Sequence, residues 1–274
     1  SKRAVFGSKF NTFDIEPAMI RFKDGHIHLP RKYIPIAQDL QKIMASKIQA
    51  MVSNNMAEKC NKLPNCSMFL VDKNNGIELN NERRWRAVCD LKVLNDSIQE
   101  YSYNLPNIRH IFEEIKDSSV FSKFDCRDGF FSIPITCDGD NEIVFTACGL
   151  RDNYKFKVLP MGLLVSSNIF QETIDKIFYD CSSWLAAYQD DLLCHNDSKE
   201  THKNLVRKFL DRCEQKRVRL NPSKTVLAAS SCEFLAKRIL NGRITISDGH
   251  RAQIMAINGE KMKKDTLLGY VRHF

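Results

Sequence analysis

The sequence contains no long hydrophobic run, and this absence excludes a membrane-spanning helix. Of its 274 residues, 43% are hydrophobic and 27% are charged, but no apolar run approaches the 18 residues that a spanning helix needs. The first residues, "SKRAVFGSKFNTF", lack the apolar core of a secretion signal. Internal repeats, low-complexity segments and long linkers are missing as well. We therefore expect a globular intracellular protein with one large domain or a few subdomains.

The cysteines lack the regular spacing of a metal site or a disulfide framework. None of the ten belongs to a C-x-x-C pair, and several lie inside apolar runs, namely Cys89, Cys126 and Cys148. This pattern predicts reduced, buried thiols in an intracellular protein. Two candidate zinc sites stay open, the pair Cys60 and Cys66 and the group Cys194, His195 and His202.

The charge balance is basic. Lysine and arginine number 41 against 33 acidic residues, a net charge of +8. Such a balance suits a polyanionic partner, because cationic side chains neutralise phosphates and release counterions. Many globular proteins carry this charge, so the balance alone does not identify the partner.

The hydrophobic pattern alternates between helical and strand periods. The spacing of apolar residues predicts four helices. The first covers residues 37–52 and the second begins at Pro106–Asn107. The third begins at the candidate caps Ser166, Ser167 and Asn168, and the fourth begins after the cap Asp197–Ser198. Strand patterns cover "HIHLP", a hairpin within residues 68–91, Val120–Cys126, "EIVFTACG", "YKFKVLP", the stretch Trp184–His195 and a hairpin at Asn241–Gly242. From His250 the pattern becomes helical and basic. The order predicts an α+β protein whose main antiparallel sheet is backed by helices.

Two adjacent aspartates interrupt the apolar stretch "WLAAYQDDLLCH". If "YQDD" is the tip of a β-hairpin, Asp190 and Asp191 project together and repel each other. A divalent cation removes this penalty, and Mg²⁺ prefers carboxylates combined with water and phosphate oxygens. Asp125, late in the strand "VFSKFD", is the expected third ligand, and Asp128 is its rival. Taken alone, "YQDD" also fits a plain polar turn.

Several motifs together resemble the reverse transcriptases of gypsy-like LTR retrotransposons and of retrovirus-like pol polyproteins. "YQDD" resembles their Tyr-x-Asp-Asp box, and the other boxes keep family order across residues 68–240. They are "RRWRAVCDLKVLN", "FSKFDCRDGFFSIPI", "VLPMGLLVSSNIFQETID", "RLNPSKT" and "CEFLAKRIL", followed by "LLGYVRHF". Jointly these boxes outweigh the polar-turn interpretation.

The resemblance implies a right-hand polymerase with fingers, palm and a partial thumb. The expected divisions are an N-terminal extension (1–36), the first part of the fingers (37–118), the palm (119–240) with an inserted fingers segment at about 131–158, and the end of the primer grip with the start of the thumb or connection (241–274). Asp125, Asp190 and Asp191 would be catalytic and would hold two Mg²⁺ ions. The backbone carbonyl of Cys126 would be a further metal ligand, and Mn²⁺ could substitute.

The resemblance also assigns substrate contacts. Those for the incoming nucleotide are Lys73, Arg86, Asp128, Gly129, Phe130, Met161 and Lys224, and those for the primer and template are Tyr188, Gln189, Phe234 and Leu235. Phe130 would lie under C2′ of the incoming sugar and exclude ribose, and Lys224 would donate a proton to pyrophosphate. Strand alternation predicts that Phe131 packs in the core while Phe130 faces the substrate. For Lys73, Arg86 and Lys224, a solvated surface position is the alternative.

This sequence also departs from the family pattern. Met161 replaces the usual Gln or Phe, and Ala236 replaces the usual Gly of the primer grip. By resemblance we expect template–primer and dNTPs as partners, linkage to RNase H and integrase in a longer polyprotein, and a location in cytoplasmic virus-like particles. Two other functions stay open. One is a domesticated or fragmentary copy that binds nucleic acid without catalysis, and the other is an unrelated metal phosphohydrolase.

Overall fold

The structure is a computed structural model that describes residues 4–25, 34–74, 76–240 and 243–246. The chain forms two compact units. The first unit consists of Ser1–Leu105, Cys126–Tyr179 and Phe209–Pro222, and the second unit consists of Pro106–Asp125, Asp180–Lys208 and Ser223–Phe274. The predicted division into fingers, palm and thumb at the residue bounds given above stays a prediction.

Five α-helices lie in the described ranges: α1 Gln38–Ser53, α2 Lys92–Ser97, α3 Ile108–Ile115, α4 Ser166–Ile177 and α5 Lys199–Gln215. The strands there are β1 Ala18–Ile20, β2 Ala57–Cys60, β3 Cys66–Asp72, β4 Trp85–Asp90, β5 Val120–Asp125, β6 Ile135–Cys137, β7 Val144–Ala147, β8 Asn153–Phe156, β9 Leu185–Tyr188, β10 Asp191–Asn196, β11 Val226–Ala229, β12 Ser231–Phe234, β13 Lys237–Leu240 and β14 Arg243–Ile246. The predicted α+β composition is confirmed. None of these helices combines the length and the apolar character that crossing a membrane requires.

The first unit contains a five-stranded sheet in the order β2-β8-β7-β3-β4 and a two-stranded parallel pair, β1 and β6. The predicted hairpin within residues 68–91 is the antiparallel pair of β3 and β4. Helix α1 buries the stripe Ile43, Met44 and Ile48, as the helical spacing of its apolar residues predicts.

The second unit contains a four-stranded sheet in the order β11-β5-β10-β9 and a three-stranded sheet of β12, β13 and β14. All strand pairs of these two sheets are antiparallel. One hydrophobic cluster lies under them and includes Ile111, Phe112, Phe121, Leu193 and Phe234. Consecutive residues of β5 and β10 are buried, so both faces of these two central strands are covered.

Two local predictions need correction. Ser166 does not cap α4 with its side chain; its hydroxyl donates instead to the carbonyl of Pro160 at 2.7 Å. Phe130 and Phe131 do not alternate along a strand, because residues Phe130–Ser132 form a 3₁₀ helix. The predicted turn residues Asn241–Gly242, the segment "HIHLP" and the basic segment after His250 lie outside the described residues. The strands β13 and β14, which precede and follow residues 241–242, pair antiparallel.

Candidate active site

The two adjacent aspartates lie at the tip of a β-hairpin, as the sequence predicts. Strands β9 and β10 pair antiparallel, with Tyr188 opposite Asp191. Gln189 and Asp190 form the two-residue loop between them, and Gln189 has φ 52°. Such short loops require at least one central residue with positive φ. The buried strand residues Leu185, Ala186, Leu192, Leu193 and Cys194 hold this tip on the core of the second unit.

The third carboxylate lies on the neighbouring strand. Asp125 is the last residue of β5 and is the direct antiparallel partner of Asp191. Only 8% of Asp125 is exposed, while Asp190 and Asp191 are half-buried. Strand pairing therefore brings Asp125 close to Asp190 and Asp191, which follow it by 65 and 66 positions in the sequence.

Two lysines neutralise part of this charge. The Lys224 ammonium donates to Asp125 Oδ2 at 2.8 Å, and Lys123 Nζ lies 3.2 Å from Asp191 Oδ1. Burial, followed by repulsion from Asp191 and Asp125, raises the pKa of Asp190. The hydrogen bond to Asp125 raises the pKa of Lys224. The three carboxylates thus repel one another, and nearby cations are needed to compensate their negative charge.

The donor set of this cluster suits Mg²⁺, which takes carboxylate oxygens together with water and phosphate. In the side-chain conformations present, no group of three or more His, Cys, Asp or Glu side chains within the described residues converges as a metal site. Lys123 and Lys224 instead contact the carboxylates directly. A divalent cation would supply the same charge compensation, so the residues fit the predicted ion. Cys126, whose carbonyl is a predicted ligand, follows Asp125 directly in the chain.

In the first unit, the predicted sugar-selecting residue lies on a short 3₁₀ helix. The Phe130 ring stacks on Phe170 of α4, with centroids 4.8 Å apart and an interplanar angle of 29°. Gly129 makes this approach possible, since a Cβ at this position would lie 2.8 Å from Phe170 Cζ. Asp128 precedes Gly129 with φ 52°. The three neighbouring positions Asp128, Gly129 and Phe130 therefore form one tightly constrained turn.

A pocket of about 290 Å³ in the first unit brings together the two predicted phosphate-binding cations. It is lined by Lys47, Met51, Met68, Lys73, Trp85, Arg86, Ala87 and Phe131. Neither Lys47 nor Phe131 was predicted to belong to a site. The position of Phe131 beside Phe130 is a signal that could have indicated Phe131, and the sequence has no such signal for Lys47. A larger groove of about 560 Å³ along β1 and α4 contains none of the predicted site residues.

The remaining predicted residues have distinct surroundings. Met161 is 52% exposed. Phe234 is fully buried, and its ring meets Phe112 edge-on at 6.4 Å, so its side chain belongs to the core. Tyr188 and Leu235 pack against the same cluster. A primer contact at Phe234 would therefore have to use its backbone.

The candidate zinc ligands have other partners. His195 Nδ1 shares a hydrogen bond with Ser118 Oγ at 2.9 Å, and His202 Nε2 shares one with Ser122 Oγ at 2.8 Å. Burial, with a smaller contribution from His202, lowers the pKa of His195 to about 4, and burial also lowers the pKa of His202. All ten cysteines are free thiols. Both histidines are thus neutral parts of the hydrogen-bonded core.

The comparison with protein families gives one match. Residues 71–239 match the family described as "Reverse transcriptase (RNA-dependent DNA polymerase)". The matched range contains all the predicted site residues of both units, from Lys73 to Leu235.

Several viral polyproteins are similar in sequence. A polyprotein of Cassava vein mosaic virus is 31% identical over 196 residues, which cover 69% of this chain and 30% of that protein. Polyprotein P3 of Commelina yellow mottle virus is 27% identical over 179 residues, covering 65% of this chain and 9% of that protein. The enzymatic polyprotein of Cestrum yellow leaf curling virus is 28% identical over 198 residues, covering 72% and 30%. The chain therefore spans less than a third of each of these relatives.

Solved structures of the foamy viral protease-reverse transcriptase share the fold. The complex with double-stranded DNA has a TM-score of 0.80 at 17% identity and covers 100% of this chain and 56% of that one. The complex with an RNA/DNA hybrid has a TM-score of 0.79 at 17% identity, covering 93% and 33%. These similarities confirm the right-hand polymerase fold predicted from the motifs.

Proposed function

Because this chain belongs to the reverse transcriptase family, we propose that it extends a primer on an RNA or DNA template by two-metal nucleotidyl transfer. The observation that carries this proposal is the carboxylate cluster, in which Asp125 and Asp191 are direct strand partners and Asp190 is at the adjoining hairpin tip. A plain polar turn would not need a third acidic residue on the neighbouring strand.

Asp125, Asp190 and Asp191 would hold two Mg²⁺ ions, with Mn²⁺ as a substitute and the carbonyl of Cys126 as a further ligand. When bound, these ions would lower the pKa of the primer 3′-hydroxyl and neutralise the charge of the triphosphate. The positions of the three carboxylates would determine where the ions bind. The crowding of the carboxylates supports this metal-binding role, because burial and like charges raise the pKa of Asp190. Cation binding removes this penalty.

Lys224 would donate the proton that the pyrophosphate leaving group takes up. Two observations support this role. Its ammonium is 2.8 Å from Asp125 Oδ2 and so lies at the carboxylate cluster, and its side chain is 60% exposed and so is accessible to a substrate. General acids of this kind act at the atom where negative charge appears on the leaving group.

The pocket between β3, β4 and the turn at Phe131 would bind the phosphates of the incoming dNTP. Its two predicted cations, Lys73 and Arg86, share this pocket, and Arg is well suited to bidentate phosphate contacts. Asp128, Gly129 and Phe130 would place the sugar, with Met161 beneath the base. Tyr188, Gln189, Phe234 and Leu235 would contact the primer and template.

The partners follow from the relatives. The solved foamy viral structures are complexes with double-stranded DNA and with an RNA/DNA hybrid, and we propose the same class of template–primer for this chain. The curated relatives are polyproteins, which supports linkage to further domains such as RNase H and integrase. Assembly in cytoplasmic virus-like particles belongs to the same proposal.

A primer-extension assay separates this function from its alternatives. The full chain is incubated with poly(A)/oligo(dT), dTTP and Mg²⁺, and a parallel sample contains EDTA. Metal-dependent extension supports the polymerase. Salt-sensitive binding of template–primer without extension supports a non-catalytic nucleic-acid-binding protein, and cleavage of phosphodiester bonds without synthesis supports a phosphohydrolase.

A further inference from the structure

Arg219 is a buried cation of the first unit that the proposed chemistry does not use. Its side chain is 3% exposed, yet its guanidinium donates from one terminal nitrogen to the carbonyl of Lys9 at 3.2 Å and from the other to Asp128 Oδ2 at 3.3 Å. The group also lies over the ring of Phe10, 4.8 Å from the centroid. A buried guanidinium is retained at a cost in solvation, so its partners indicate what it holds in place.

Asp128, the carboxylate partner, controls the helix that carries Phe130. Its backbone is left-handed, with φ 52°, a conformation that Asp adopts more readily than most residues other than glycine because its short polar side chain can form local hydrogen bonds. Its carbonyl accepts hydrogen bonds from the backbone N–H and the hydroxyl of Ser132, at 3.0 and 3.1 Å. These bonds close the 3₁₀ helix Phe130–Ser132, so a rotation of Asp128 would move Phe130.

The N-terminal segment from Val5 to Asp14 supports both sides of this turn. Besides the carbonyl of Lys9, which accepts from Arg219, the backbone N–H of Phe13 donates to Ser132 at 2.7 Å. Leu220 N–H donates to Val5 and Arg127 N–H donates to Arg219, at 2.9 and 2.8 Å. The chain thus connects Arg219 to the turn through its backbone and through its side chain.

We propose that Arg219 is a positioning residue for nucleotide selection. Its guanidinium, fixed by Phe10 and the Lys9 carbonyl, holds the Asp128 carboxylate and with it the left-handed turn. The turn places the Phe130 ring against Phe170. The inference rests on the proposed function, in which Phe130 is the residue expected to exclude ribose, and it would make the N-terminal segment a support of the nucleotide-binding site.

The test compares Arg219→Met, Arg219→Lys and the control Arg217→Met in the full chain. Arg217 is exposed and lies in the same loop, so its variant removes an equal charge. For each protein, kcat/KM is measured for dTTP and for UTP on poly(A)/oligo(dT), together with thermal unfolding. We expect Arg219→Met to lower the preference for dTTP by about tenfold, since small displacements of a positioning group are costly in rate. Lysine keeps the charge without the two-nitrogen contact, so Arg219→Lys should recover only part of the preference.

The single variant Asp128→Asn and the double variant Arg219→Met/Asp128→Asn distinguish positioning from a general loss of stability. If Arg219 acts through Asp128, the preference of the double variant for dTTP over UTP is no lower than that of the single variant with the lower preference. A lower unfolding temperature with unchanged discrimination would overturn the inference, as would an equal effect of Arg217→Met. If the wild-type chain extends primers, such results reject only this inference, whereas a wild-type chain without extension rejects the proposed function as well.

Discussion

Asp191, the first residue of β10, lies directly opposite Asp125, the last residue of β5, in an antiparallel strand pair. Like charges in opposite positions destabilise a sheet. Here the two carboxylates are each paired with a lysine, Lys123 with Asp191 and Lys224 with Asp125. The pair therefore depends on cations, which a divalent metal can replace.

Removal of Lys123 should make the protein more responsive to Mg²⁺. Lys123→Met leaves the half-buried Asp191 without its ammonium partner, and we expect a loss of about 1 kcal/mol in the free energy of unfolding in EDTA. Added Mg²⁺ should then raise the unfolding temperature more than in the wild type, because no ammonium competes for the carboxylate. Thermal unfolding in EDTA and in Mg²⁺ measures both effects.

Lys116→Met is the matched control for this prediction. Lys116 forms an exposed ion pair with Glu113 in the same unit, and such pairs contribute little. Equal responses of the two variants to Mg²⁺ would mean that Lys123 does not compete for the metal site.

Phe130 should exclude ribonucleotides. Replacement of its ring by a smaller side chain leaves room for a 2′-hydroxyl, so Phe130→Val should raise rNTP incorporation relative to dNTP by at least about tenfold, or ~1.4 kcal/mol. Phe131 lines the pocket of Lys73 and Arg86, so Phe131→Val should raise KM for dNTP and leave ribose discrimination unchanged. Steady-state incorporation of rNTP and dNTP by both variants tests these predictions. If Phe131→Val instead lost ribose discrimination and Phe130→Val only raised KM, Phe131 would be the residue that excludes ribose.

Gly129 should tolerate no side chain unless Phe170 becomes smaller. In Gly129→Ala the new methyl would lie 2.8 Å from the buried Phe170 ring, and overpacking of this kind costs about 1–3 kcal/mol. The unfolding temperature and the dNTP preference should both fall. Gly129→Ala/Phe170→Leu should be less destabilised than the sum of the two single variants. Additive losses would contradict the contact.

The buried histidines should make the second unit acid-sensitive. The pKa of His195 is lowered to about 4, so between about pH 6.5 and 4 the unfolded chain binds the proton that the folded chain excludes. The stability contributed by neutral His195 is therefore complete above pH 6.5 and is lost as the pH falls through this window, by about 3 kcal/mol. Chemical denaturation between pH 4 and pH 7 measures this slope.

His195→Gln should flatten that slope, because the variant has no proton to bind at this position. His110→Gln is the control, since His110 is exposed on α3. An unchanged slope in His195→Gln would show that other groups cause the acid sensitivity.

The strands and helices were largely predictable because each buries one face. The spacing of apolar residues correctly predicted α1, α3, α4, the hairpin of β3 and β4, and the hairpin tip at Asp190. The sequence failed where a local polar group decided the conformation. The sequence pattern at Phe130 predicts a strand, but Asp128 has a left-handed φ and is followed by the 3₁₀ helix Phe130–Ser132.

The acidic residues of the site were predictable from their isolation in apolar strands, and the family resemblance also indicated Lys224, but the pairing of each carboxylate with a particular cation was not predictable. Lys224 and Asp125 are 99 positions apart, and Arg219 and Asp128 are 91 apart. No local pattern encodes such pairs. They arise only when strand pairing and the N-terminal segment bring distant residues together.

The most direct test of the proposed polymerase is a comparison of the wild-type chain with Asp190→Asn. Primer extension on poly(A)/oligo(dT) with Mg²⁺ and the Kd for the same template–primer are measured on the same preparations. We predict extension by the wild type and a loss of at least about 10²-fold in Asp190→Asn, with Kd unchanged within a few fold, because the carboxylate acts on the reaction rather than on binding. Equal extension by both proteins, or a parallel loss of extension and binding, would contradict a catalytic role for the carboxylate cluster.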